Sequence, residues 1–149
     1  MEKLELLRKA ILKEISANEF YASVATRIAN KDGKRSFLEL AHEEEKHRQT
    51  LSEWFLRETG KSYEVDPTEV GALFHFPEEA VLSQSTALEA LSVGIQSERD
   101  SVEFYTSFRL QVEDEAGKSL LAGLIAFEEG HFLKLQREYD QVLHHFYWI

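Results

Sequence analysis

The chain has 149 residues, of which 43% are hydrophobic and 30% charged, with a formal net charge of -10 and no cysteine. That length and apolar content suit one globular domain with a continuous core, and the acidity opposes a nucleic-acid backbone or an anionic membrane as partner, since both would repel it. Without cysteine the chain can hold no disulfide, thiolate zinc site or iron–sulfur cluster, so electrons for any redox reaction have to come from another molecule.

Residues 1–8 alternate charge with Leu, and no stretch approaches the roughly 18 apolar residues of a membrane span, which makes a soluble cytoplasmic protein the expectation. The two prolines, Pro67 and Pro77, lie mid-chain and leave long segments on either side free to be helical. The first helix is predicted over about residues 2–30, with Leu4, Leu7, Ile11, Glu14, Tyr21, Val24 and Ile28 on one stripe. Asn30-Lys31-Asp32-Gly33 then reads as a turn. The second helix is predicted from near Lys34, with Phe37, Leu40, Ala41, Glu44, His47, Leu51 and Trp54 facing inward and Glu43, Glu45, Lys46 and Arg48 on the polar face. Thr59-Gly60 offers it a left-handed stop.

The next connection, of about 25 residues, is too long for a tight hairpin and long enough to cross over along a bundle. Within it Asp66-Pro67-Thr68-Glu69 has the pattern of a capped helical turn. The third helix is predicted from Ser85 or Thr86, on the capping-box spacing of Thr86 and Glu89, through Leu91, Ile95, Glu98, Val102 and Tyr105 to near Val112. Gly117-Lys118 introduces the fourth, whose inward stripe carries Leu121, Leu124, Ile125, Glu128, His131, Leu135 and Glu138.

Residues 4–51 laid over 88–135 match Leu4 with Leu88, Leu7 with Leu91, Ile11 with Ile95, Phe20-Tyr21 with Phe104-Tyr105, Gly33-Lys34 with Gly117-Lys118, Leu40 with Leu124 and Leu51 with Leu135. The repeat unit is a helical hairpin, with halves of about residues 1–60 and 85–145 and a crossover of about residues 61–84. Two such hairpins, related by a pseudo-twofold axis, bury their stripes against each other. The expected fold is therefore all-α: a four-helix bundle in one domain, with one long crossover between helices two and three.

The same offset of 84 residues carries Glu14, Glu44 and His47 onto Glu98, Glu128 and His131. Glu44 and His47, like Glu128 and His131, stand three apart on one helix face, close enough to share an ion. Glu14 and Glu98 interrupt stripes that otherwise carry Leu and Ile, and an unpaired buried carboxylate either costs several kcal/mol or takes up a proton. Six such side chains can enclose two cations, and four carboxylates around two divalent ions cancel in charge. Imidazole with carboxylate suits iron or manganese, where magnesium would take nearly all oxygen. Two irons are the expected content, with manganese or a mixed pair also compatible.

A lone Glu-x-x-His is weak in a Glu-rich chain. Glu39 and His42 form such a pair, but Glu39 sits roughly 140° around the helix from Glu44 and its repeat counterpart is Gly123, so a surface position is expected. Glu19 and Glu103 are read as surface, and His75, His144 and His145, with no matched partners, as non-ligands. Phe20 and Phe104 are read as core. Tyr21 and Tyr105 each follow a ligand Glu by seven residues, nearly in line with it, so their hydroxyls either donate to a ligand carboxylate across the bundle or only pack.

The set Ile11-x-x-Glu14-(six residues)-Tyr21, Glu44-Glu45-Lys46-His47, Ile95-x-x-Glu98-(six residues)-Tyr105 and Glu128-Glu129-Gly130-His131 covers nearly the whole chain. It resembles the ferritin-like di-iron carboxylate superfamily, and within it the rubrerythrin-like branch. The resemblance implies a ferritin-like bundle in which Glu44 and Glu128 bridge two irons and Glu14, His47, Glu98 and His131 complete them, with the ion served by each terminal Glu left open. It implies a non-haem di-iron oxidoreductase that reduces hydrogen peroxide or dioxygen, as a peroxidase or ferrous oxidase of oxidative stress. An external donor such as a rubredoxin-type protein and a homodimer are implied with it.

Two departures mark the chain as erythrin-like or divergent: Ser101 stands where rubrerythrins usually carry a further ligand Glu, and the rubredoxin-like cysteine module is missing from the sequence. Haem is not expected, since bacterioferritins hold it with a Met beside a bridging Glu, and Glu45 follows Glu44 here. Ferritin-type iron uptake and storage, or a helical interaction module without turnover, are the alternatives. Phe74, Phe76, Phe146, Tyr147 and Trp148 are expected either to cover the bundle or to meet another subunit.

Overall fold

In the computed structural model, which describes residues 2–144, four long helices form: α1 Lys3–Thr26, α2 Lys31–Thr59, α3 Gln84–Leu110 and α4 Glu115–Leu143. The tail residues His145, Phe146, Tyr147 and Trp148 lie outside the described residues. Each of α2, α3 and α4 begins on a short polar side chain that satisfies otherwise unpaired amides of the first turn. Asn30 accepts from the amides of Asp32 and Gly33, Ser83 from that of Thr86, and Asp114 from that of Gly117.

These caps correct the predicted helix starts. Asn30-Lys31-Asp32-Gly33 is the cap and first turn of α2 rather than a separate turn, α1 stops at Thr26, and α3 starts before Ser85 because Ser83 caps it. Gly117 lies inside the first turn of α4, where Asp114 holds its amide at 2.7 Å. At the far end of α2, Gly60 takes a left-handed conformation at φ 74° and returns its amide to the Leu56 carbonyl, as a glycine C-terminal stop does.

Helix α1 packs along α2, α3 along α4, and α1 also meets α3. Leu7, Ile11, Tyr21, Val24 and Ile28 are buried as their spacing predicts, and so is the whole predicted inward face of α2. Leu4 is an exception at 42% exposure: in the first turns of α1 the pair Leu6 and Leu7 takes the buried side, followed by Ala10 and Ile11.

The buried apolar residues form two clusters. One joins the second half of α1 to the first half of α2, around Phe20, Tyr21, Phe37, Leu40, Leu91 and Leu135. The other joins the first half of α1 to the second half of α2, around Leu7, Ile11, Leu51, Trp54, Tyr105, Phe108 and Leu121. A layer of acids and histidines separates them along the bundle.

The crossover is fastened at several points. Asp66 caps a 3-10 turn at Pro67–Glu69, as its sequence pattern predicts, and Glu69 pairs with Arg8 of α1. Phe76 stacks on Phe20 at 6.0 Å, meets Phe74 at 4.9 Å and carries the Arg27 guanidinium over its face. Phe74 and Phe76 thus cover the bundle. Buried Leu82 closes the segment with its amide on the Arg27 carbonyl at 3.0 Å. Among the described residues no helix is long and apolar enough to cross a membrane.

Candidate metal centre

All six residues of the repeated triplet meet in the layer between the two apolar clusters. The four carboxylates of Glu14, Glu44, Glu98 and Glu128 are no more than 2% exposed, and both imidazoles are buried. They form two groups that share Glu44 and Glu128: Glu14, Glu44, His47 and Glu128 in one, and Glu44, Glu98, Glu128 and His131 in the other. Within each group the candidate ligand atoms all lie within 4.8 Å of one another. Glu14 therefore groups with His47, and Glu98 with His131.

Both histidines aim Nδ1 inward. His47 Nδ1 lies 3.1 Å from Glu128 Oε1, 3.6 Å from Glu14 Oε2 and 3.7 Å from Glu44 Oε1. His131 Nδ1 lies 2.8 Å from Glu44 Oε1 and 3.7 Å from both Glu98 Oε1 and Glu128 Oε2. The 2.8 Å approach is not aligned as a hydrogen bond, so both of its atoms stay without a hydrogen-bond partner.

The tyrosines tie the halves together crosswise. Tyr21 on α1 donates to Glu98 Oε1 on α3, and Tyr105 on α3 donates to Glu14 Oε1 on α1 at 2.5 Å. The second oxygens, Glu14 Oε2 and Glu98 Oε2, are buried without a hydrogen-bond partner, as are Glu44 Oε1, Glu128 Oε2 and His131 Nδ1. Orphaned buried acceptors are rare because each forfeits its hydration. Five of them converging from four helices suit divalent cations, and the mixed oxygen and nitrogen donors suit iron or manganese.

Electrostatics describe the same strain. Burial, reinforced by Glu14 and Glu128, raises the Glu44 carboxyl well above its ordinary range. Burial and Glu128 do the same to Glu98. Burial also works on Glu128, yet its contacts with Glu98, His131 and His47 bring it below the usual carboxylate range. Burial opposes charge on His47, but Glu128 and Glu14 beside it raise it to about 9. His131 is raised further, against burial, by Glu128, Glu44 and Glu98. Tyr21 and Tyr105 are fully buried beside carboxylates, which holds both phenols well above their ordinary value and keeps them protonated donors.

Glu39, His42, Glu19 and Glu103 are exposed, as expected, and His75 and His144 are exposed as well. Ser101, one turn beyond Glu98, is buried. One residue departs from the sequence reading. Glu43, assigned to the polar face, contacts His131 Nε2 from across the bundle. Its place in a run of three glutamates hides it, and the repeat gives no help because its counterpart is Phe127.

The chain matches the rubrerythrin family over residues 5–139. It is a member of that family. Among solved structures, this rubrerythrin-family chain is similar to a hypothetical protein from Pyrococcus furiosus, with 29% identity, 97% of this chain and 92% of that chain covered, and a TM-score of 0.86. It also resembles a dodecameric thioferritin, the bacterioferritin-related protein from Bacteroides fragilis, at 19% identity, with 95% and 86% covered and a TM-score of 0.77. A putative ferritin-like diiron-carboxylate protein from Thermotoga maritima aligns at 23% identity, with 95% and 96% covered and a TM-score of 0.75. The four-helix bundle is thus ferritin-like. No curated protein gives a significant match.

Proposed function

We propose that this rubrerythrin-family protein is a non-haem di-iron oxidoreductase that reduces hydrogen peroxide, or dioxygen, inside the bundle. The observation that carries the reading is the pair of four-residue groups sharing Glu44 and Glu128, with unpartnered oxygens turned inward. Glu44 and Glu128 would each serve both ions, Glu14 and His47 would complete one, and Glu98 and His131 the other. When bound, a ferrous pair supplies two electrons, one from each ion, which with two protons take hydrogen peroxide to two waters.

The chain's own part is to orient and to insulate. Tyr105 and Tyr21 occupy Oε1 of Glu14 and of Glu98, which leaves Oε2 of each as the free donor. Apolar clusters on both sides keep bulk water out of a layer where charged groups then interact strongly. An external donor, such as a rubredoxin-type protein, would return the electrons, since the sequence carries no cysteine for a carrier of its own.

Stopped-flow mixing of Fe(II)-loaded protein with peroxide tests the reading. Oxidation much faster than that of free Fe(II), and faster with peroxide than with dioxygen, is expected of a peroxidase; a rate equal to that of free iron contradicts it. Iron uptake and storage is the second reading, favoured by the likeness to a dodecameric thioferritin. Light scattering separates the two: a dimer favours the redox enzyme, whereas a closed shell that retains many irons per chain favours storage.

A further inference from the structure

We propose that Glu43 is a positioning residue that makes the two metal positions unequal, so that the position with Glu98 and His131 takes up a divalent ion more tightly than the one with Glu14 and His47. This rests on the metal reading of the centre given above. A metal-bound imidazole uses one ring nitrogen, and the N–H of the other is normally held by a carboxylate or carbonyl, which fixes the tautomer and the ring orientation. His131 has this arrangement: Nε2 meets the Glu43 carboxylate, while Nδ1 is buried, faces three carboxylates and has no hydrogen-bond partner. With Nε2 held as a donor to Glu43, Nδ1 is the nitrogen already turned to the ligand cluster, and it becomes the ligand once an entering ion displaces its proton.

His47 is held differently. The residue 84 positions after Glu43 is Phe127, and its ring lies edge-on to the His47 ring at 5.2 Å between centroids. A hydrocarbon ring cannot accept an N–H as a carboxylate does. His47 Nδ1 is instead engaged with Glu128 Oε1 at 3.1 Å, so it has to give up that contact before it can serve as a ligand. One half of the centre is therefore set for an ion, and the other has to rearrange. Glu43 also remains partly exposed, with 39% of its side chain accessible, so it is not simply a buried strut.

Anaerobic titration of the full chain with Co(II), read by calorimetry and by the visible absorption of each equivalent, tests this. The wild type is expected to bind in two steps whose affinities differ by about 10-fold or more, the usual range for a carboxylate behind a ligand histidine. Glu43→Leu is expected to weaken the tighter step by about 10-fold and change the spectrum of the first equivalent, leaving the weaker step in place. Phe127→Glu, the reverse exchange in the other half, is expected to tighten the weaker step and provides a reading even if Glu43→Leu folds poorly. Equal steps in the wild type, or a Glu43→Leu loss shared equally by both steps, would overturn the inference while leaving the metal reading intact. A wild type that takes up no Co(II) would overturn both.

Discussion

The α1–α2 and α3–α4 hairpins present the same triplet, Glu-Glu-His, and the same tyrosine reaching a glutamate of the partner hairpin, yet they support it with different neighbours. Glu43 of the first hairpin holds the histidine of the second, whereas Phe127 of the second packs on the histidine of the first. Ala10 lines the cluster around Leu7 and Ile11, whereas its counterpart in the second hairpin is Gly94, a position at which a Cβ would lie 3.2 Å from the Phe20 ring and 3.3 Å from Leu135. The repeat therefore preserves the six buried acids and histidines of the candidate centre and lets the surrounding packing diverge. A shared role at the proposed metal centre would constrain both copies equally, whereas each copy's neighbours have only to fill their own space and satisfy their own polar groups.

What the hairpins share is tested most strongly by removing metal. In the metal-free protein the raised carboxyls of Glu44 and Glu98 disfavour the fold once the pH exceeds their ordinary value of 4.5, where the unfolded chain releases those protons freely. His47, raised to about 9, favours the fold fully below its ordinary 6.5, and that contribution is lost as the pH rises through 9. His131 acts in the same direction, while the depressed Glu128 matters only as the pH falls below 4.5. Thermal melts from pH 5 to 9 should show chelated protein losing stability as the pH rises while Fe(II)-loaded protein holds it, so the gap widens to a few kcal/mol. A constant or narrowing gap would contradict this.

The crossed tyrosines give the next largest effect. Tyr105→Phe removes the donor to Glu14 and Tyr21→Phe the donor to Glu98, each from within the opposite hairpin. Urea unfolding should register a loss of about 1–3 kcal/mol for each, the range for leaving a buried polar partner unsatisfied. Metal binding should weaken at the position of the carboxylate rather than that of the tyrosine's own hairpin. A loss confined to the tyrosine's own half would break the crosswise arrangement.

Smaller effects come from the glycines of the second hairpin. A Cβ on Gly117 would meet Val112 Cγ1 at 2.7 Å and the Trp54 ring at 3.0 Å, both in a filled core. Gly117→Ala is expected to cost about 1–2 kcal/mol in chemical denaturation, overpacking outweighing the gain in helix propensity. Gly123, six residues on in the same helix, has nothing within 4 Å of its Cβ position. Gly123→Ala should therefore stabilise by about 0.5–1 kcal/mol; a loss there would show that the outer face of α4 is not free.

Most of the architecture is legible in the sequence because helical spacing and the repeat report on the same faces. Glu14 and Glu98 stand out as acids on apolar stripes, and the same offset links Glu44 to Glu128 and His47 to His131. The helix starts are harder to read, since Asn30, Ser83 and Asp114 have residue types that suit turns as well as caps, and only the amide each one accepts distinguishes the two. Whether Tyr21 and Tyr105 pack or donate depends on which carboxylate lies across the bundle, a matter of three-dimensional register. Glu43 is invisible to both signals: its local run of acids reads as a solvated face, and its repeat partner is aromatic. Phe74 and Phe76 are equally undecided by sequence, because aromatic residues in a long connection serve an intramolecular cover and a subunit contact alike.

Three buried side chains from each copy of the repeated hairpin, six in all, are proposed to hold two metal ions through the shared Glu44 and Glu128. Elemental analysis of protein loaded anaerobically with Fe(II) and desalted tests it most directly, with Glu128→Ala measured beside the wild type. About two irons per chain are expected in the wild type, one for each four-residue group, and loss of both in the variant. Iron content that is negligible in the wild type, or the same in both proteins, would contradict it.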